Sequence, residues 1–118
     1  MYFPSWSLIR EKTTPYLLIA YGMFDAMVLS LLGYPACTPT SGKGNVDPLW
    51  FKDWRKPIYI IPDLGEDSTA HQLANSLGWR GNVLRLPYSE WDVKDPAEAY
   101  EKNLPLDERL ANGITRDI

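Results

Sequence analysis

The chain reads as an α/β domain built on a compact, mainly parallel sheet of about four strands with helices on both faces. Three observations predict it. Short apolar runs recur along the chain, each long enough for a buried strand and too short for a helix. Amphipathic helical patterns separate them, which is the spacing of crossover connections. Two of the runs end in acidic turns, Tyr16 to Asp25 and Ile58 to Asp63, so each delivers a carboxylate to the carboxyl edge of the sheet, where such folds gather ligands. That placement points to a divalent-metal or phosphate site.

The opening segment, residues 1–14, mixes aromatic residues with Arg10-Glu11-Lys12 and is expected to be an entry strand or arm packed on the domain. Strand one follows from Tyr16 to Tyr21, its unbroken apolar character fitting a strand covered on both faces. Gly22 is expected to permit a sharp turn. Phe24, Met27, Val28, Leu31 and Leu32 then recur with helical spacing and predict an apolar, core-facing stripe that ends at Gly33. Ala36 to Thr40 predicts a second strand, Ser41 to Asn45 a loop, and Leu49 to Trp54 a short helix closed by Pro57.

Ile58 to Ile61 is the clearest strand. Asp67 or Ser68 is placed to cap the next helix, whose stripe is Ala70, Leu73, Ala74 and Leu77, with Gly78 ending it. Val83 to Leu86 predicts another strand, stopped by Pro87. Asp95-Pro96-Ala97-Glu98 opens a further helix with proline in its first turn. Residues 103–118 predict a last helix, packed on the domain or frayed from it.

Composition bounds the function classes. With 118 residues, 45% hydrophobic content and 23% charge, the chain is a single globular domain with a real core. A formal charge of −3 provides no general attraction to polyanions, so any nucleic acid must meet a local basic patch. Cys37 is the only cysteine, which excludes an internal disulfide or a multi-cysteine zinc site and makes a cytoplasmic protein the default. Cys37 itself reads as a small buried residue. The apolar stretch from Pro15 to Cys37 approaches membrane-spanning length, but Asp25 would lie near the bilayer centre and Gly22 interrupts it. A strand, a turn and a helix explain the same residues, so no membrane association is expected.

Three stretches, within residues 15–102, together resemble the Toprim domain, the metal-binding α/β module of bacterial-type DNA primases, phage primase-helicases, topoisomerases and some nucleases. Ile19-Ala20-Tyr21-Gly22-Met23-Phe24-Asp25-Ala26 resembles the family's strand ending in a Glu-Gly turn followed by an aspartate. Ile60-Ile61-Pro62-Asp63-Leu64-Gly65 resembles the strand ending in DxD. Val93-Lys94-Asp95-Pro96-Ala97-Glu98 resembles the Lys-Asp-Pro-Asp-Glu segment of the primase branch, and Gly42 falls where the family carries a glycine loop. The resemblance implies a Rossmann-like, Toprim-like fold over residues 15–102. It also implies a primase or primase-helicase type of replication protein, from a phage or mobile element, with Mg²⁺-dependent or Mn²⁺-dependent nucleotidyl transfer. Asp25, Asp63 and Asp95 would be its catalytic residues, and Asp63 and Asp95 its metal ligands.

The departures from that pattern are chemical. Tyr21 stands where the family has its proton-transfer glutamate, Gly65 where it has the second DxD aspartate, and Ala97 where it has an aspartate. Tyrosine, with a pKa of about 10, is a poor base at neutral pH, and fewer carboxylates weaken Mg²⁺ binding. Tyr21, Glu66, Asp67 and Glu98 are auxiliary candidates for a rebuilt site. A weakened enzyme and a non-catalytic docking module both remain open.

The expected partners are DNA or RNA, single-stranded, together with a replication protein or flanking domains of a longer chain. Lys43, Lys52, Arg55 and Lys56 are the candidate nucleic-acid contacts. Leu49 to Lys56 interleaves aromatic and basic residues as base-stacking surfaces do. The favoured reading has Trp50, Phe51 and Trp54 plugging the sheet, with Phe51 and Trp54 on one helix face. Ser41-Gly42-Lys43-Gly44 lacks the ending of a nucleotide-binding P-loop. His71 is expected to face solvent, and Trp79 and Trp91 to pack under the last strand.

Overall fold

In the computed structural model, which describes residues 2–3, 15–39 and 46–115, Leu17, Leu18, Ile19 and Ala20 are all wholly buried. Such a strand needs cover on both faces, and it has it. β1 (Tyr2–Phe3), β2 (Leu17–Ala20), β3 (Ala36–Pro39), β4 (Ile58–Ile61) and β5 (Gly81–Val83) form one sheet in the order β1-β3-β2-β4-β5. β3, β2, β4 and β5 are parallel, and β1 adds an antiparallel edge with Tyr2 opposite Pro39. Leu17 lies opposite Ile58 and Ala20 opposite Ile61, so the two central strands run in step and end together.

The helices are α1 (Met23–Leu31), α2 (Asp67–Leu77), α3 (Tyr88–Trp91), α4 (Pro96–Glu101) and α5 (Leu106–Thr115). Strand side chains alternate between faces. Leu18, Ala20, Tyr59 and Ile61 pack with residues of α1, α4 and α5, whereas Leu17, Ile19, Ile58 and Ile60 pack with α2, Phe51 and Trp54. Each buried aliphatic side chain contributes roughly 1.5–3 kcal/mol. Leu106, Leu110 and Ile114 belong to the first core, so α5, in the segment expected as a last helix packed on the domain or frayed from it, packs on it.

Several local expectations are corrected. Of the stripe expected of Phe24, Met27, Val28, Leu31 and Leu32, only Val28 and Leu32 meet the core: Phe24, Met27 and Leu31 are 77%, 47% and 72% exposed, and α1 buries Asp25, Ala26, Val28 and Leu29. Leu49 to Trp54 contains a 3-10 turn over Pro48–Phe51, capped by Asp47, rather than a longer helix. Phe51 and Trp54 nevertheless plug the sheet, and Arg80 fixes them by donating to the carbonyls of Phe51 and Trp54, the latter at 2.6 Å. The last strand starts at Gly81 instead of Val83 because the chain pairs there with Ile58. α2 starts at Asp67 after Glu66, without a side-chain cap from Asp67 or Ser68. Trp91 packs against the first core, but Trp79 is 73% exposed.

Gly33, with φ +97°, closes α1 as expected of a residue without a β-carbon. Cys37 is fully buried and its thiol pKa is raised by burial. His71 is exposed. No helix among the described residues is long and apolar enough to cross a membrane; residues 15–37 form β2, α1 and the start of β3.

β5 approaches α2 so closely that a β-carbon on Gly81 would run into the Ala74 carbonyl and lie 2.7 Å from the Ala74 α-carbon. Backbone atoms cannot step aside cheaply. Gly81→Ala should therefore destabilise the protein by roughly 1–3 kcal/mol, read as a lower urea midpoint; an unchanged midpoint would show that β5 can shift freely.

Candidate metal centre

Three aspartates reach one point from three separate segments. Asp25 comes from the first turn of α1, immediately after β2. Asp63 comes from the loop beyond β4, and Asp95 is the N-cap of α4. One ligand atom from each lies within 4.8 Å of the others. Asp25 and Asp63 are buried, 4% and 5% exposed, and Asp95 is half-buried.

Backbone contacts hold this geometry. The Leu64 amide donates to the Lys94 carbonyl at 2.8 Å, joining the loop after β4 to the approach to α4. The Ala97 amide donates to Asp25 Oδ1 at 2.9 Å, and the Glu98 amide donates to Asp95 Oδ1 at 2.8 Å. Tyr88 steadies the end of β4 by donating its hydroxyl to the Pro62 carbonyl at 2.6 Å. Gly22 has φ −177°, extended backbone open to any residue, so its expected conformational role is corrected. Its role is space: a β-carbon there would lie 3.0 Å from Asp25 Oδ2.

The pocket above the aspartates has a volume of about 310 Å³, and Tyr21, Glu98 and Glu101 join its wall. Among the described residues no lysine or arginine lines it. Arg85 instead pairs with Asp67 at 3.0 Å. Burial, followed by the charges of Asp63 and Asp95, pushes Asp25 up to about 7 from its ordinary 3.8, against the opposing pull of the Ala97 amide.

The donor set fits a hard divalent cation. Carboxylate oxygens are the ligands such ions take, and one from each of Asp25, Asp63 and Asp95 would hold the ion after the side chains close in from the 4.8 Å within which they lie. The pocket volume also leaves room for several waters, each occupying roughly 30 Å³.

The other candidates are distributed unevenly. Tyr21 is buried with its hydroxyl lacking a hydrogen-bond partner among the described residues, and burial together with the Glu66 and Asp63 charges pushes it up to about 12. It stays protonated near neutral pH and cannot act there as a base. Glu66 precedes α2, Asp67 is engaged by Arg85, and Glu98 faces the pocket without joining the three-aspartate cluster. Lys52, Arg55 and Lys56 precede β4, at the amino edge of the sheet, while Asp63 follows its carboxyl end. A four-residue strand separates them by about 13 Å, so these cations do not share the aspartate pocket. Lys43 and Gly42 lie outside the described residues. Glu101 was not singled out by sequence; its i,i+3 spacing from Glu98 on one helix face is the signal that marks it.

Comparison with protein-family models, with curated proteins and with solved structures yields no match.

The raised Asp25 pKa has a definite sign in metal-free protein. A carboxyl that is protonated more readily folded than unfolded contributes stability in full below about 3.8, and that contribution is lost as pH rises through about 7. Asp25→Asn should flatten this decline between pH 4 and 7 in parallel urea titrations, since an amide oxygen can still accept from Ala97. An unaltered pH profile would show that Asp25 ionises normally.

Proposed function

We propose that the chain is a Toprim-like domain of the DNA primase or primase-helicase type, which holds Mg²⁺ or Mn²⁺ weakly and presents it to a phosphate of single-stranded nucleic acid or a triphosphate. The observation that carries this reading is the meeting of Asp25, Asp63 and Asp95 at the carboxyl edge of a parallel sheet. A cation bound there would neutralise charge developing on a phosphoryl group during nucleotidyl transfer. The aspartates hold and orient it. Gly22 keeps space open beside Asp25. Tyr21 can donate a hydrogen bond to a phosphate or water oxygen but cannot accept a proton near neutrality. Glu98, in the pocket wall, is a carboxylate able to take that part.

A second reading rests on Tyr21 and Gly65: a docking module for nucleic acid or a replication protein that has lost its chemistry. Tyr21 removes the proton acceptor, and Gly65 adopts φ +87°, a conformation that disfavours restoring a side chain at the missing ligand position.

Titration of Mg²⁺ and Mn²⁺, followed at the backbone amides of Asp25, Asp63, Gly65, Glu66 and Asp95, separates the two. Saturable shifts there, weakened at least about tenfold by Asp63→Asn, are expected of the metal site, and primer-synthesis assays should then lose activity in the same variant. Absence of shifts at millimolar metal, with single-stranded DNA still bound in EDTA, would establish the docking reading instead.

A further inference from the structure

We propose that the outer face of α1 and the acidic groove beside it form a docking surface for a basic amphipathic helix of a partner protein. Met23, Phe24, Met27 and Leu31 are 49%, 77%, 47% and 72% exposed. At about 100° per residue they fall within an arc of about 100° on α1, so they form one apolar strip. Core packing explains none of them, because the opposite face of α1 already supplies Ala26, Val28 and Leu29 to the interior.

Leu32, which follows the last residue of α1, lines a groove of about 680 Å³ together with Tyr100 and Leu104, and Glu101 lines both this groove and the aspartate pocket that Met23 and Phe24 border. The groove's rim is acidic, with Glu101, Asp107 and Glu108, and among the described residues no lysine or arginine lines it. Asp107 already accepts the Tyr34 hydroxyl at 2.6 Å. Glu101 and Glu108 are exposed and make no ion pair among the described residues.

This chemistry selects the occupant. An apolar strip two turns long bordered by unpaired carboxylates matches a helix with leucine-like anchors at i, i+3, i+4 and i+7 and lysine or arginine along its flanks. Nucleic acid would meet carboxylates where it needs cations. A second copy of this chain is also disfavoured, because a two-fold contact sets each patch against itself and would bring the Glu101 and Glu108 rims into like-charge opposition.

The probe is a synthetic helical peptide with leucines at that spacing and lysines elsewhere, titrated into the full chain and followed by amide NMR, with a control in which glutamates replace the lysines. The lysine peptide should shift Leu31, Leu32, Tyr100 and Glu108, and the glutamate peptide should bind at least about tenfold more weakly. Phe24→Ser and Glu108→Lys, both at exposed positions and checked for unchanged melting, should each weaken binding by a similar factor. Equal binding of both peptides, no binding at millimolar peptide, or shifts confined to the Asp25, Asp63 and Asp95 edge would overturn the proposal. So would a monomer–dimer equilibrium that Leu31→Ser abolishes, since a second copy would then be the occupant.

Discussion

Asp25 lies in the first turn of α1 and accepts the amide hydrogen of Ala97, a residue 72 positions further along the chain. That bond joins the start of the domain to the start of α4, and the second tie, from Leu64 to the Lys94 carbonyl, brings the end of β4 to the same place. Without them, three carboxylates within 4.8 Å would have every electrostatic reason to separate. Burial adds to the cost, which the amides of Ala97 and Glu98 offset in part by donating to Asp25 and Asp95. The carboxyl edge is therefore held against its own repulsion by backbone hydrogen bonds and by the packing of Ala99 and Val93 beneath it.

The architecture was legible because its signals are local. Ile58 to Ile61 reads as a buried strand from its own residues, and Asp95-Pro96 announces a helix start that the structure realises, with the Asp95 side chain as the cap. The aspartate cluster was legible for a related reason: strand ends in a parallel sheet share one edge, so acidic turns after two strands must come near each other. What the sequence could not convey was the orientation of α1. Its apolar residues are numerous enough to satisfy two faces, and only the tertiary demand that Asp25 reach Ala97 selects which face turns inward. Trp79 was misjudged similarly, because size alone does not say whether a helix lies over a side chain.

The two ends of the sheet carry opposite chemistry. At the carboxyl end, Asp25, Asp63, Asp95, Glu98 and Glu101 surround a pocket that no lysine or arginine among the described residues lines. At the amino end of β4, Lys52, Arg55 and Lys56 follow the aromatic plug formed by Phe51 and Trp54. A polyanion drawn to the basic end would have to run along the domain to reach the acidic pocket, and a cation in that pocket would make its arrival less costly. The local charge pattern is thus more informative than the formal total of −3.

Cys37 occupies β3 in register with Ile19 of the central strand β2, wholly enclosed and with its thiol held protonated by burial. Its side chain lies in the core that Phe51, Trp54 and α2 close over the sheet, so a reagent that attacks only thiolates reaches it when that cover opens. The protein therefore carries its own clock for the opening of that layer: the alkylation rate at this one sulfur measures how often the cover lifts.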